Sequence, residues 1–168
     1  MADVVTGKIE RKYMAHFIDT NFIIASGTPS WYRIGEDLEE YNVDLNPDTE
    51  LVKNILGSTR FDHKGYEPSA DADPFYARAG DALFTKLQTI VDNRTTGDGC
   101  KTSTLEVHLW DQVSTNTFTA YRQYCYCVPT SYGGDTSGYQ IPFTVNYAGD
   151  RIAGTYNTST SVFTTTSA

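Results

Sequence analysis

Basic residues are scarce in this chain of 168 residues: 13 Lys and Arg stand against 21 Asp and Glu, for a formal net charge of −8. Proteins that wrap nucleic acid draw their affinity from Lys and Arg contacts to phosphates, so that mode of binding is excluded. Any relation to DNA is repulsive. Cysteine is scarce too, with only Cys100, Cys125 and Cys127. The number is odd, and the last two, in YCYCV, project to one face of a strand, so no disulfide framework is expected. Long apolar runs are missing. No stretch approaches the roughly 18 apolar residues of a membrane span, and MADVVTGKIERKYM lacks the apolar core of a signal peptide. The expectation is a reducing, soluble compartment without membrane insertion. In that setting Asn93-Arg94-Thr95 and Asn157-Thr158-Ser159 match the glycosylation pattern by chance.

Metal and nucleotide motifs are also absent. His16, His63 and His108 lie far apart, and neither an HExxH nor a paired Cys-x-x-Cys motif occurs. The glycine-rich YGGDTSGY lacks the Gly-Lys-Ser/Thr ending that cradles phosphates and reads as a hairpin turn. Asp71-Ala72-Asp73 has no EF-hand glycine or glutamate at the required positions, and reads as the start of a helix. No cofactor, metal or catalytic residue is expected.

What the sequence does hold is a globular composition, with 12 Tyr and 8 Phe, in a length that fits one domain with its own core. It also holds acid. YRIGEDLEEYNVDLNPDTE packs seven carboxylates into nineteen residues. Acid–base catalysis by paired carboxylates needs one of them in an apolar pocket, yet Glu36, Asp37, Glu39 and Glu40 sit together in a polar stretch. An acid–base hydrolase is therefore the weakest functional reading. A solvated acidic surface is the direct one.

The hydrophobic pattern divides the chain. In DADPFYARAGDALFTKLQTIVDN, Asp73 reads as N-cap and Pro74 as the first helical residue, while Leu83, Leu87, Ile90 and Val91 recur on one face. A helix from about Pro74 to Asp92 is expected, packed on a sheet through those four residues. After Gly97 and Gly99 the period falls to 2. Leu105, Val107 and Leu109 mark one half-buried strand, and Tyr139, Ile141, Phe143, Val145 and Tyr147 mark another. FTAYRQYCYCV is apolar or aromatic on both faces, as a central strand requires. Gly149-Asp150 reads as a hairpin joining the last two strands.

HFIDTNFIIAS reads as extended. Tyr41, Val43 and Leu45 are expected to face the core, with Asn42, Asp44 and Asn46 on the opposite, polar face, and Pro47 is expected to stop or edge that strand. GSTRFDHKGYEPSADAD, residues 57–73, reads as a long polar loop that orders on a partner. Residues 1–12 form an N-terminal arm, and the Thr- and Ser-rich segment 155–168 is a final edge strand or a second arm.

Four segments carry a family resemblance: WYRIGEDLEEYNVDLNPDTELVKNILG, YEPSADADPFYARAGDALFTKL, CKTSTLEVHLW and VPTSYGGDTSGYQIPFTVNYAGDRIAGTY. Together they resemble the major tail tube proteins of tailed bacteriophages, in particular the group found in phages of Gram-positive bacteria. NPDTE through NILG and GGDTSGYQIPF are the most specific elements. The resemblance implies a mainly β, α+β fold: a β-sandwich or barrel with one flanking helix, a long loop and terminal arms. It implies hexameric rings stacked into a hollow tube in the virion, assembled in the host bacterial cytoplasm. The lumen would pass genomic DNA without specific binding, with Asn42, Asp44 and Asn46 as lumen-facing candidates. Arg60, Phe61, Asp62, Lys64, Tyr66 and Glu67 would meet the next ring. A tape measure protein inside the tube, and tail terminator and baseplate or distal tail proteins at its ends, are the implied partners. The alternative from another class is a carbohydrate-binding β-sandwich presenting tyrosines on loops such as SYGGDTSGY.

Overall fold

Leu105, Val107 and Leu109 lie on one strand and Phe143, Val145 and Tyr147 on another, but Tyr139 lies on a separate short strand and Ile141 in the gap before Phe143; the clearest stretch with period 3.6 contains the helix. The computed structural model describes residues 5–22, 27–36 and 38–167. In chain order the strands are β1 (Met14–Asp19), β2 (Trp31–Ile34), β3 (Val43–Asp44), β4 (Pro47–Lys53), β5 (Thr59–Tyr66) and β6 (Ser69–Ala72). Helix α1 (Ala82–Asn93) follows, then β7 (Lys101–Ser114), β8 (Thr117–Pro129), β9 (Gly133–Asp135), β10 (Gly138–Gln140), β11 (Phe143–Asn157) and β12 (Val162–Thr165). The fold is mainly β with a single α-helix among the described residues, and that helix is too short to cross a membrane.

Eight strands form the main antiparallel sheet in the order β2-β1-β7-β8-β11-β6-β3, with β12 on the far half of β11. FTAYRQYCYCV lies in β8, between β7 and β11, and serves both faces. Ala120 packs with Ala15, Leu105, Val107 and Tyr156, while Cys125 and Cys127 pack with Ile18, Phe143, Val145 and α1. The sheet is strongly curled. Phe17 on β1 reaches Tyr156 on β11, ring centroids 5.0 Å apart, although β7 and β8 lie between their strands. In a flat sheet three strand spacings would hold them about 14 Å apart. The curl therefore encloses the Ala120 cluster, and α1 covers the opposite face with Leu83, Leu87, Ile90 and Val91 buried. Cys100, Cys125 and Cys127 are free and buried.

The helix begins later than its pattern predicts. Asp81, not Asp73, is the N-cap, its carboxylate accepting from the Leu83 N–H at 2.9 Å. Residues 75–77 pair with residues 139–141 instead. Phe75 is buried and its carbonyl accepts from the Ile141 N–H at 3.0 Å, while the Ala77 N–H donates to the Tyr139 carbonyl at 2.9 Å. Gly80 at φ 86° then breaks the chain ahead of the cap. Asp71, read as part of a helix start, lies on β6 opposite Thr144.

Gly149-Asp150 makes no hairpin. It forms a bulge inside β11, between Ala148 and Ile152, with β8 continuing to pair on both sides. Gly149 takes φ 70°, and the Gln123 amide donates to its carbonyl at 3.1 Å. The glycine thus bends one long strand rather than ending it. YGGDTSGY does turn, as the β9–β10 hairpin. The C-terminal segment begins inside β11 and ends in β12, an edge strand rather than an arm. Of the N-terminal arm, residues 1–4 lie outside the described residues; Arg11 ties its end to the body by donating to the Met14 and Tyr41 carbonyls at 2.6 and 2.9 Å.

Candidate functional site: a projecting apolar hairpin

The expected polar loop 57–73 is not a loop. Most of it is strand: β5 pairs with β4 from Pro47↔Tyr66 to Lys53↔Thr59 in a two-stranded sheet separate from the main one, and β6 belongs to the main sheet. Local chemistry makes the turn. The Asn54 side-chain oxygen accepts from the Leu56 and Ser58 N–H groups, both at 3.0 Å, and Gly57 takes φ 80°. Pro47 opens β4, an edge strand of the isolated pair, as suits a residue with no N–H to donate.

The side chains on this hairpin are unusual for a surface. Leu51 and Phe61 stand directly opposite each other, 70% and 62% exposed. At the tip Ile55 and Leu56 are almost wholly exposed, and Tyr66 and Leu45 are exposed at the base. A two-stranded hairpin is marginal alone, and large exposed apolar patches mark interaction surfaces, ligand grooves or aggregation-prone sites. Ion pairs line the hairpin: Lys64 to Glu50 at 3.0 Å and Arg60 to Asp62 at 2.8 Å. At such exposure each contributes about 0–1 kcal/mol.

The base is clamped. Asn46 at φ 44° donates its side-chain amide to the Glu67 carbonyl at 3.0 Å and the Ser69 hydroxyl at 3.1 Å, and the Glu67 N–H returns to the Leu45 carbonyl at 3.0 Å. This clamp ends the expected alternation. Tyr41 is buried and Val43 half-buried, with Asn42 and Asp44 exposed, but Leu45 turns outward instead of into the core. Asp44 stands opposite Ser69 on β6, while Asn46, expected on the same polar face, is a hinge pin of the hairpin.

Of the expected contact residues, Arg60, Phe61, Asp62, Lys64 and Tyr66 are on β5, and Glu67 follows at its base. Leu51, Ile55 and Leu56 were not anticipated. The local signal in ELVKNILGSTRF is the turn chemistry of Asn54 and Gly57 alone.

The acidic stretch is spread over the surface. Glu36, Glu39 and Glu40 are exposed around a cleft of about 420 Å³ that Arg11, Lys12 and Arg33 also line; Asp37 lies outside the described residues. Among the described residues no group of His, Cys, Asp or Glu is arranged to hold a metal. A polar cluster sits elsewhere, on the α1 side of the sheet. Glu106 accepts from Arg151 at 2.7 Å and lies 2.8 Å from His108 Nε2. Burial alone would raise its carboxyl; the hydrogen bonds from His108 and Arg151 outweigh it and hold the group below the ordinary range. Opposite Glu106 on β1, burial lowers His16 to about 4. The space that His16 and Glu106 both line is about 20 Å³.

No protein-family model matches the chain, and no curated protein matches it in sequence.

Proposed function

We propose that this chain is a structural, non-catalytic protein that assembles with copies of itself into stacked hexameric rings, forming the hollow tail tube of a tailed bacteriophage. The observation that carries the reading is the β4–β5 hairpin, which holds Leu51, Ile55, Leu56 and Phe61 out to solvent on a clamped base. A monomer gains nothing from that arrangement, whereas a ring or tube covers the hairpin with its neighbour. Repeating a weak contact around a closed ring raises the effective concentration of each further contact. The curled sheet supports the same reading, since β2 lies at one edge and β3 and β12 at the other, the positions from which pairing extends into adjacent subunits.

In such a tube the net charge of −8 has a physical role. A wall that binds phosphates would retard the duplex during ejection, and a negative one keeps it sliding, within a Debye length of about 8 Å. Exposed Asp44 and Asn42 are the lumen-facing candidates of this reading. The tape measure protein during assembly, and the tail terminator and baseplate or distal tail proteins at the ends, are its partners, and the virion is its location. Negative-stain electron microscopy of the purified protein tests it. Rings or tubes are the expected result, and a monodisperse monomer at high concentration overturns it.

A further inference from the structure

A second unpartnered apolar feature lies on the body of the molecule. Between the last turn of α1 and the end of β8 is a cleft of about 510 Å³. Its lining includes Ile90, Val91, Val128, Pro129, Tyr132 and one cation, Arg94. The walls are held in place. The Arg94 guanidinium donates to the Tyr132 hydroxyl at 3.0 Å and the Val91 carbonyl at 2.9 Å, and lies 5.3 Å from the Tyr132 ring. Val128 and Tyr132 are nonetheless partly exposed, so the cleft presents apolar surface that no described residue covers. Its volume falls in the range of preformed binding sites, about 300–1,000 Å³.

We propose that this cleft receives the hairpin tip, Ile55 and Leu56, of a second copy of the chain. The deduction rests on the self-assembly reading and deepens it by naming the receptor surface. The tip is almost wholly exposed in its own subunit, so it does not occupy its own cleft. Its turn is already fixed by the Asn54 side chain, so little order remains to be imposed when it docks. Lys53 carries a positive charge beside the tip, and Asp92 and Asp98, close in sequence to the lining residues, outnumber the one lining cation, Arg94. Tip and cleft are different patches on one surface, so the contact is heterologous. Each copy gives its tip to one neighbour and its cleft to another, which propagates without limit or closes a ring.

Disulfide trapping tests this with Ile55→Cys and Ser131→Cys, singly and together. The three native thiols are buried and do not compete. Under oxidising conditions the double variant is expected to give a ladder of dimer, trimer and higher species on a non-reducing gel, while each single variant stays monomeric. Normal tubes in micrographs without a ladder would overturn the docking and leave the tube reading standing. Dimers from Ile55→Cys alone would also overturn it, by showing tip against tip. No assembly of any kind would overturn both. A second variant, Val128→Asp, places a charge in the cleft wall and is expected to raise the critical concentration for assembly at least about tenfold. Its circular dichroism melt checks that the fold is retained, and an unchanged critical concentration in a folded variant counts against the cleft.

Discussion

The Tyr41 hydroxyl lies 3.1 Å from the Tyr147 hydroxyl, and the pair ties both legs of the projecting hairpin to the main sheet. Tyr41 leads through β3 into β4, while the Tyr147 N–H donates to the carbonyl of Pro68, just beyond β5. Burial raises both phenols, Tyr147 to about 12, so both stay neutral at any working pH. Changing Tyr147 to Phe removes the contact and leaves the Tyr41 hydroxyl without this partner. The expected loss is about 1–3 kcal/mol in urea unfolding. A midpoint equal to that of the parent protein would remove the pair from the list of stabilising contacts.

His16 makes the fold sensitive to acid. Its ring packs 4.9 Å from that of Tyr41, and Glu106, His108, Arg11 and Arg151 are the charged or titratable groups that act on it. Burial lowers it from 6.5 to about 4. Above pH 6.5 both folded and unfolded chains hold it neutral, so stability is level with respect to this group. As pH falls from 6.5 toward 4 the unfolded chain takes up the proton first, and stability declines by about 3 kcal/mol in total. Glu106 adds to the loss at lower pH, since its depressed carboxyl must then be protonated. Denaturant melts at intervals between pH 7 and 4 measure the slope, and His16→Gln should flatten it. An equally steep slope in that variant would assign the acid sensitivity to other groups.

Asp19 is wholly buried where β1 turns toward β2, and its carboxylate accepts from the N–H groups of Asn21 at 2.9 Å and Ser30 at 3.0 Å. Asp19→Ala strands both donors and should cost about 1–3 kcal/mol for each that stays buried. Asp19→Asn keeps an acceptor oxygen in place and should lose less. Thermal melts of the two variants compare them directly, and equal losses would mean that the carboxylate acts through its charge rather than through these bonds.

Leu87 is fully buried in the face that α1 turns to the sheet. Leu87→Ala should destabilise by about 2–5 kcal/mol. An unchanged melting temperature would contradict its place in the core.

Deleting residues 48–65 removes the hairpin beyond its clamp. The body should fold and melt near the parent temperature, because the hairpin forms a sheet of its own, but should no longer form tubes. Normal tubes from the deletion would deny the hairpin an essential role in assembly.

Sequence by itself determined the elements whose period is long and unbroken. Leu83, Leu87, Ile90 and Val91 repeat at helical spacing and are the buried face of α1; Leu105 and Val107 alternate and are buried on β7. Local repetition suffices there, because each apolar residue independently favours the same arrangement. Tertiary structure decided the rest. Asp73-Pro74 is as good a helix start as Asp81, but Phe75 is drawn into the core and its backbone bonds to residues far along the chain, so the cap moves. Gly149-Asp150 carries a hairpin signal that β8 overrides by pairing on both sides of it. The hairpin that carries the proposed function was the hardest to read. Its apolar residues face no core of their own subunit, so burial, the strongest organiser of sequence pattern, left no mark on it.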